Sequence, residues 1–414
     1  MQVTELEDLA TVYQDLHEHP ELSFREFRTA GIVAARLRAT GFDVTEGVGR
    51  TGVVGVLRNG EGPTVLLRAD MDALPVAERT DLPYASTTRA TGADGEDVHV
   101  MHACGHDMHV TCLIGACAQM ARERDFWRGT LLAVFQPAEE AGGGAKAMVH
   151  DGLFERFGRP VIVLGQHVTP LPAGVVGLRA GPAFAAADSL RVTVFGRGGH
   201  GSRPEICIDP VVMAAAIVLR LQTVVSREVS PGEQAVVTVG ALHAGTAGNI
   251  IPERAELQLT VRSFTPDVRS QVLDAITRIV KAEAVASGAQ REPDIEFSDS
   301  YPALVNDHDA VLRTRGALES TGGAIVDPGP LTASEDFGVL AAAAAAPCVY
   351  WLLGGSDPSL FEGATSSAQM AERMRSLPSN HSPEYAPVIH PTLELGVATL
   401  VSAARTWLGR MPAQ

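Results

Sequence analysis

TLLAVFQPAEE, residues 130–140, sets an unbroken apolar run directly against a proline and two adjacent carboxylates. A run of that kind, without polar alternation, suits a strand covered on both faces, as in a parallel sheet packed between helices. VIVLGQ (161–166) repeats the pattern, and a further strand is expected over 64–69. In open parallel sheets, functional groups collect beyond the carboxyl ends of the strands. The 64–69 strand runs into Asp70-Met71-Asp72, the 130–136 strand into Glu139-Glu140, and the 161–166 strand into His167. An apolar strand at 348–353 (CVYWLL) is followed by a loop that holds His381.

Working outward, residues 5–16, 26–39 and 107–122 have helical spacing and 52–58 reads as another strand. The alternation predicts an α/β sandwich. From 189 the pattern changes to strand 189–195, helix 209–227, strands 235–242 and 254–262, helix 266–287 and strand 294–298. Asp209-Pro210 gives the first of these helices a cap and a first-turn proline. This β-α-β-β-α-β order is the split, ferredoxin-like unit. The expected architecture is therefore α/β with two domains. A mixed, mostly parallel sheet sandwiched by helices is built from residues 1–182 and 298–414, with an α+β domain inserted at 183–297. A final helix is expected at 391–408.

The chain has 414 residues, 45% of them hydrophobic and 20% charged, as expected of a globular protein of more than one domain. A net charge of −16 argues against nucleic acid or an anionic membrane as partner, since either needs a basic patch. Five cysteines, few and odd in number, suggest a reducing compartment rather than a disulfide framework, and so a cytoplasmic protein. The acidic, amphipathic start MQVTELEDLATVYQDL does not read as a secretory signal, and the apolar run near Val339–Val349 is too short to span a bilayer.

Thiolate, imidazole and carboxylate together suit zinc or a similar first-row cation, and one shared ligand could bridge two ions. His102, Cys104, His106 and His109 are tightly spaced before a helix, although CxH alone is a weak signal. Glu139 and Glu140 could be a solvated pair, or could divide roles, one on a metal and one as a general base. A cysteine hydrolase using Cys104 and His106 is a competing class, but leaves the carboxylates and histidines at other strand ends unexplained. A non-catalytic binding protein derived from a metal site is another.

The strings LHEHPELSFRE (16–26), LLRADMDALP (66–75), MHACGHDMHV (101–110), FQPAEEAGGGA (135–145), GRGGHGSRPE (196–205), GNIIPE (248–253), ASEDFG (333–338) and HSPEY (381–385) span the whole chain. In this order they resemble the motifs of bacterial N-acyl-amino-acid amidohydrolases and hippurate hydrolases, aminoacylase-like members of the co-catalytic zinc metallopeptidases of clan MH. The resemblance implies a zinc-exopeptidase-like fold whose inserted domain acts as lid and dimerisation surface. It also implies two divalent ions per subunit, zinc foremost with manganese or cobalt as alternatives, and an N-acyl amino acid as substrate. A dipeptidase or carboxypeptidase on the same scaffold is the nearest alternative.

By the same resemblance, Cys104, His106, Glu140, His167 and His381 match metal ligands, Cys104 being the bridge. Glu139 matches the general base, and Asp72 the carboxylate that orients a ligand imidazole, though Asp72 could also cap the turn before Pro75. His200 matches a histidine that reaches the partner subunit's site, and Asn249 a substrate contact; either could instead be ordinary turn chemistry. Asn380 and Tyr385 depart from the commoner His-His-Ser-Pro-Glu-Phe pattern, and Cys207 stands where threonine or serine is more usual.

Overall fold

The computed structural model describes residues 3–409. The chain divides into a larger unit, Met1–Gly181, Val305–Gly329 and Asp336–Gln414, and a smaller one, Pro182–Leu304 with Pro330–Glu335. The junction expected at 297 thus falls later, because the last strand of the smaller unit, Asp294–Tyr301, stays paired through Tyr301 opposite Ala187. The return segment joins the same unit through backbone, the Ala185 N–H reaching the carbonyls of Leu331 and Ala333.

The larger unit is an eight-stranded sheet in the order Asp43–Val48, Gly52–Asn59, Gly129–Gln136, Thr64–Asp70, Ile162–Pro172, Cys348–Ser356, Val175–Gly177 and Ala324–Val326. Four of its pairings are parallel and three antiparallel, which makes the sheet mixed with a parallel centre. The central strands are buried along nearly their whole length, as their unbroken apolar runs require. Helix His106–Arg122 is buried on most of its surface and packs against helix Thr392–Trp407 and the sheet.

One local expectation is corrected. His167 lies inside its strand rather than beyond it, because pairing with Cys348–Ser356 continues past Leu352 opposite His167 to Ser356 opposite Pro172. After Glu140 the chain forms two short helices, Gly144–His150 and Leu153–Phe157, parted by Gly152 at φ +79°. Gly105, just before helix His106–Arg122, has φ +84°, and a Cβ there would lie 2.4 Å from Val168 Cγ1. Only glycine lets the Cys104 turn come this close to the strand carrying His167.

In the smaller unit a four-stranded antiparallel sheet has the order Ala235–Ala244, Arg254–Ser263, Ala186–Phe195, Asp294–Tyr301. Helices Pro210–Thr223 and Pro266–Ala286 contribute Met213, Ile217, Leu221, Val272, Ile276 and Ile279 to its core. Asp209 caps the first helix, its side chain accepting the Val211 N–H at 2.8 Å. Among the described residues this helix, continued to Glu228, is the one stretch long and apolar enough to cross a membrane. One face packs on the sheet, while Val212 and Leu219 on the other are 65% and 73% exposed. The run near Val339–Val349, by contrast, splits between helix Phe337–Ala344 and strand Cys348–Ser356.

Candidate metal centre

Two groups of metal-ligand atoms meet at one thiol in the larger unit. Cys104, His106 and His167 form one, and Cys104, Glu140 and His381 the other, with the donor atoms of each within 4.8 Å of one another. Cys104 Sγ is 3.4 Å from His167 Nε2, and His381 Nε2 is 3.2 Å from Glu140 Oε1. His106 Nε2 is 3.8 Å from the same Glu140 oxygen. The Glu139 carboxylate joins His106 and Glu140 in a third such group.

Buried side chains around these atoms fix their orientation. His167 Nδ1 donates to the Val168 carbonyl at 2.7 Å, which leaves Nε2 facing the thiol. Asp72 lies 3.4 Å from His106 Nδ1, and its two oxygens accept the backbone N–H groups of Glu139 and Glu140 at 3.0 Å each. Ser23 donates to the same carboxylate at 2.6 Å. Ala138, at φ +48°, is held by its N–H to buried Glu26 at 2.9 Å.

The donor set fits divalent cations. Both ring nitrogens of fully buried His106 make no hydrogen bond. Burial, together with the carboxylates of Glu140, Glu139 and Asp70, pushes the Cys104 thiol well above its ordinary pKa. Positive charge at this point would relieve that repulsion and favour the thiolate. Burial and the neighbouring His109 hold His167 well below the usual imidazole range, the neutral form a ligand needs. Burial disfavours charge on His106 too, but Asp70 and Asp72 outweigh it and raise its pKa to about 10.

Residues 66–374 match peptidase family M20/M25/M40. The chain belongs to this family. It is 42% identical to a hippurate hydrolase of Campylobacter jejuni over 332 residues, covering 79% of this chain and 83% of that protein. It is 38% identical to thermostable carboxypeptidase 1 of Saccharolobus solfataricus over 359 residues, covering 85% and 87%. Among solved structures, a dinuclear metal-binding peptidase of family M20 from Bacillus subtilis superposes with a TM-score of 0.79 at 27% identity, covering 98% of this chain and 99% of that one. The protein is accordingly an M20 metal-dependent amidohydrolase with the family's two-domain α/β fold.

Of the nine site residues singled out from the sequence, the M20 fold gathers Asp72, Cys104, His106, Glu139, Glu140, His167 and His381 in the larger unit. His200 and Asn249 meet in the smaller one. His200 is paired opposite Ile250, and the Asn249 carbonyl accepts the Gly201 N–H at 2.8 Å. The CxH cluster is sorted by geometry. His109 spends both nitrogens, Nδ1 on Asp70 at 2.5 Å and Nε2 on the Val168 N–H at 2.7 Å. His102 is buried with neither nitrogen hydrogen-bonded, and burial lowers its pKa to about 4; it joins neither Cys104 group. Glu26 and Asn380 were not singled out as site residues. Glu26 carried only its place in the LHEHPELSFRE string, and Asn380 only its departure from the commoner pattern.

Proposed function

We propose that this enzyme hydrolyses the amide bond of N-acyl amino acids, releasing a carboxylic acid and a free amino acid. The observation that carries the reading is the sharing of Cys104 between two ligand groups with the Glu139 carboxylate beside them. Likeness to the hippurate hydrolase supports an acyl amino acid as substrate. Cys104, His106 and His167 would hold one divalent ion, and Cys104, Glu140 and His381 the second. Two such ions lower the pKa of water and polarise a carbonyl.

Glu139 would take the proton of the attacking water and return it to the departing amine. Asp72, 3.4 Å from His106 Nδ1 and hydrogen-bonded to the Glu139 and Glu140 backbone, would keep base and ligands in register. His200 and Asn249 are assigned to substrate binding, His200 by reaching the partner subunit's site and donating toward the developing oxyanion there. The mixed thiolate, imidazole and carboxylate set favours zinc, with manganese and cobalt as the alternatives.

A homodimer through the smaller unit is inferred from the exposed apolar face of helix Pro210–Thr223 and from the adjoining edge strand Ala235–Ala244. Five unpaired thiols support a reducing, cytoplasmic setting. A carboxypeptidase reading is favoured by the likeness to the Saccharolobus enzyme.

The deciding experiment is amino-acid release from N-acetyl, N-benzoyl and longer N-acyl amino acids alongside dipeptides and longer peptides. The enzyme is stripped by chelator and reloaded with zinc, manganese or cobalt. Metal-restored cleavage led by acyl amino acids is expected; faster cleavage of peptides would give the alternative, and inactivity of metal-loaded protein on the whole panel would refute the proposal.

A further inference from the structure

We propose that Asn380 is a positioning residue that locks three ligand-bearing segments together; this rests on the ligand assignment given under the proposed function. Its single carboxamide nitrogen donates to two backbone carbonyls, Cys104 O at 3.0 Å and Val168 O at 3.1 Å, and lies 3.9 Å from Cys104 Sγ. Both partners are acceptors, so the side-chain NH₂ must face them, and its two hydrogens are matched one to one. One side chain therefore ties the turn holding Cys104 to Val168, the residue after His167, and it immediately precedes His381.

The neighbouring geometry makes this tie consequential. His381 has φ +73°, a conformation that non-glycine residues rarely adopt, and its N–H donates to Ala103 O at 2.8 Å. The Val168 carbonyl that receives Asn380 also receives His167 Nδ1, while the Val168 N–H is held by His109. Val168 is thus held at both its N–H and its carbonyl, and the His167 ring is aimed with Nε2 at Cys104 Sγ. Loss of Asn380 would release one tether from the Val168 carbonyl and one from the Cys104 carbonyl without removing any ligand atom.

The chemistry required is narrow. A carboxylate at 380 would set negative charge against two carbonyl oxygens, and an imidazole offers one hydrogen per nitrogen where two converge here. Alanine would leave both carbonyls without this donor.

The test compares Asn380→Ala, Asn380→Asp and Asn380→His with wild type. Zinc affinity and stoichiometry are read by competition with a chromogenic chelator, the thiolate-to-metal band by cobalt loading, and the fold by the Tm of metal-free protein. Asn380→Ala and Asn380→Asp are expected to bind zinc about 10–100-fold more weakly, with a shifted cobalt band and a metal-free Tm near wild type, and Asn380→His to lose less. If the alanine variant proves unstable without metal, the near-isosteric aspartate carries the comparison. Wild-type affinity and spectrum in Asn380→Ala would overturn the proposal. Cys104→Ser and His381→Ala are run in parallel. If they too keep wild-type zinc binding, the ligand assignment itself fails; if they lose it while Asn380→Ala does not, only the positioning role fails.

Discussion

The Oδ1 atom of Asp72 accepts the backbone N–H of Glu139 at 3.0 Å, so a carboxylate on one strand end sets the backbone of the proposed base on another. Because its other oxygen accepts the Glu140 N–H, Asp72 orders the whole Pro-Ala-Glu-Glu turn. Removing Asp72 should therefore act on base and ligand together. Asp72→Ala is expected to lower kcat by at least about 100-fold and to weaken zinc binding by about 10-fold or more. Steady-state kinetics beside chelator competition would check both; a loss confined to KM would contradict the role.

Glu139→Gln keeps the shape of the side chain and its backbone bond to Asp72 but cannot accept a proton. The expected outcome is a kcat at least about 100-fold lower with metal content unchanged by elemental analysis. A fully active, fully metallated variant would remove Glu139 from the chemistry.

Arg68 is completely buried and bonded to Asp70 at 2.6 Å, to Asp336 at 3.1 Å and to Gln136 at 2.9 Å. Arg68→Met would leave two buried carboxylates without this cation. Destabilisation of about 3–5 kcal/mol is expected, the usual scale for breaking a buried ion pair from one side, measurable by urea unfolding of metal-free protein.

His17 is buried between Asp107 at 2.6 Å and Glu78 at 2.9 Å. Burial opposes its charge, but the hydrogen bonds to Asp107 and Glu78 prevail and raise its pKa from 6.5 to about 10. A raised folded pKa contributes stability that is complete below pH 6.5 and is lost as pH rises toward 10. The stability difference between wild type and His17→Gln, measured by denaturant unfolding of metal-free protein, should accordingly shrink across that window. A constant difference would mean that His17 is neutral throughout.

Much of the site was legible because strand ends are marked by local chemistry. Apolar runs stop at Asp70, Gln136 and Gln166, and the residues beyond them are the acids and histidine that converge. Spacing alone did not tell apart neighbours on one helix, which only the family resemblance had separated. His106 and His109 share a face and a motif, but only the paths of strands 64–70 and 162–172 show that Asp70 and the Val168 N–H occupy both nitrogens of His109. Asn380 was invisible as a site residue for a similar reason, since its partners are carbonyls at 104 and 168 and every residue has a carbonyl.

By itself the sequence determined the alternation that makes the sheet, the inserted β-α-β-β-α-β unit, and the supply of carboxylates after two strands together with the thiol and imidazoles of its motifs. These follow from side-chain period and residue type, which are local. Tertiary structure decided which histidine offers a free nitrogen, which carboxylate orders the Glu139 turn, and how Asn380 ties 104, 168 and 381 together. Those outcomes depend on where backbone donors and acceptors from distant segments come to lie, and hydrogen-bonding capacity is uniform along a chain until folding brings particular pairs within reach.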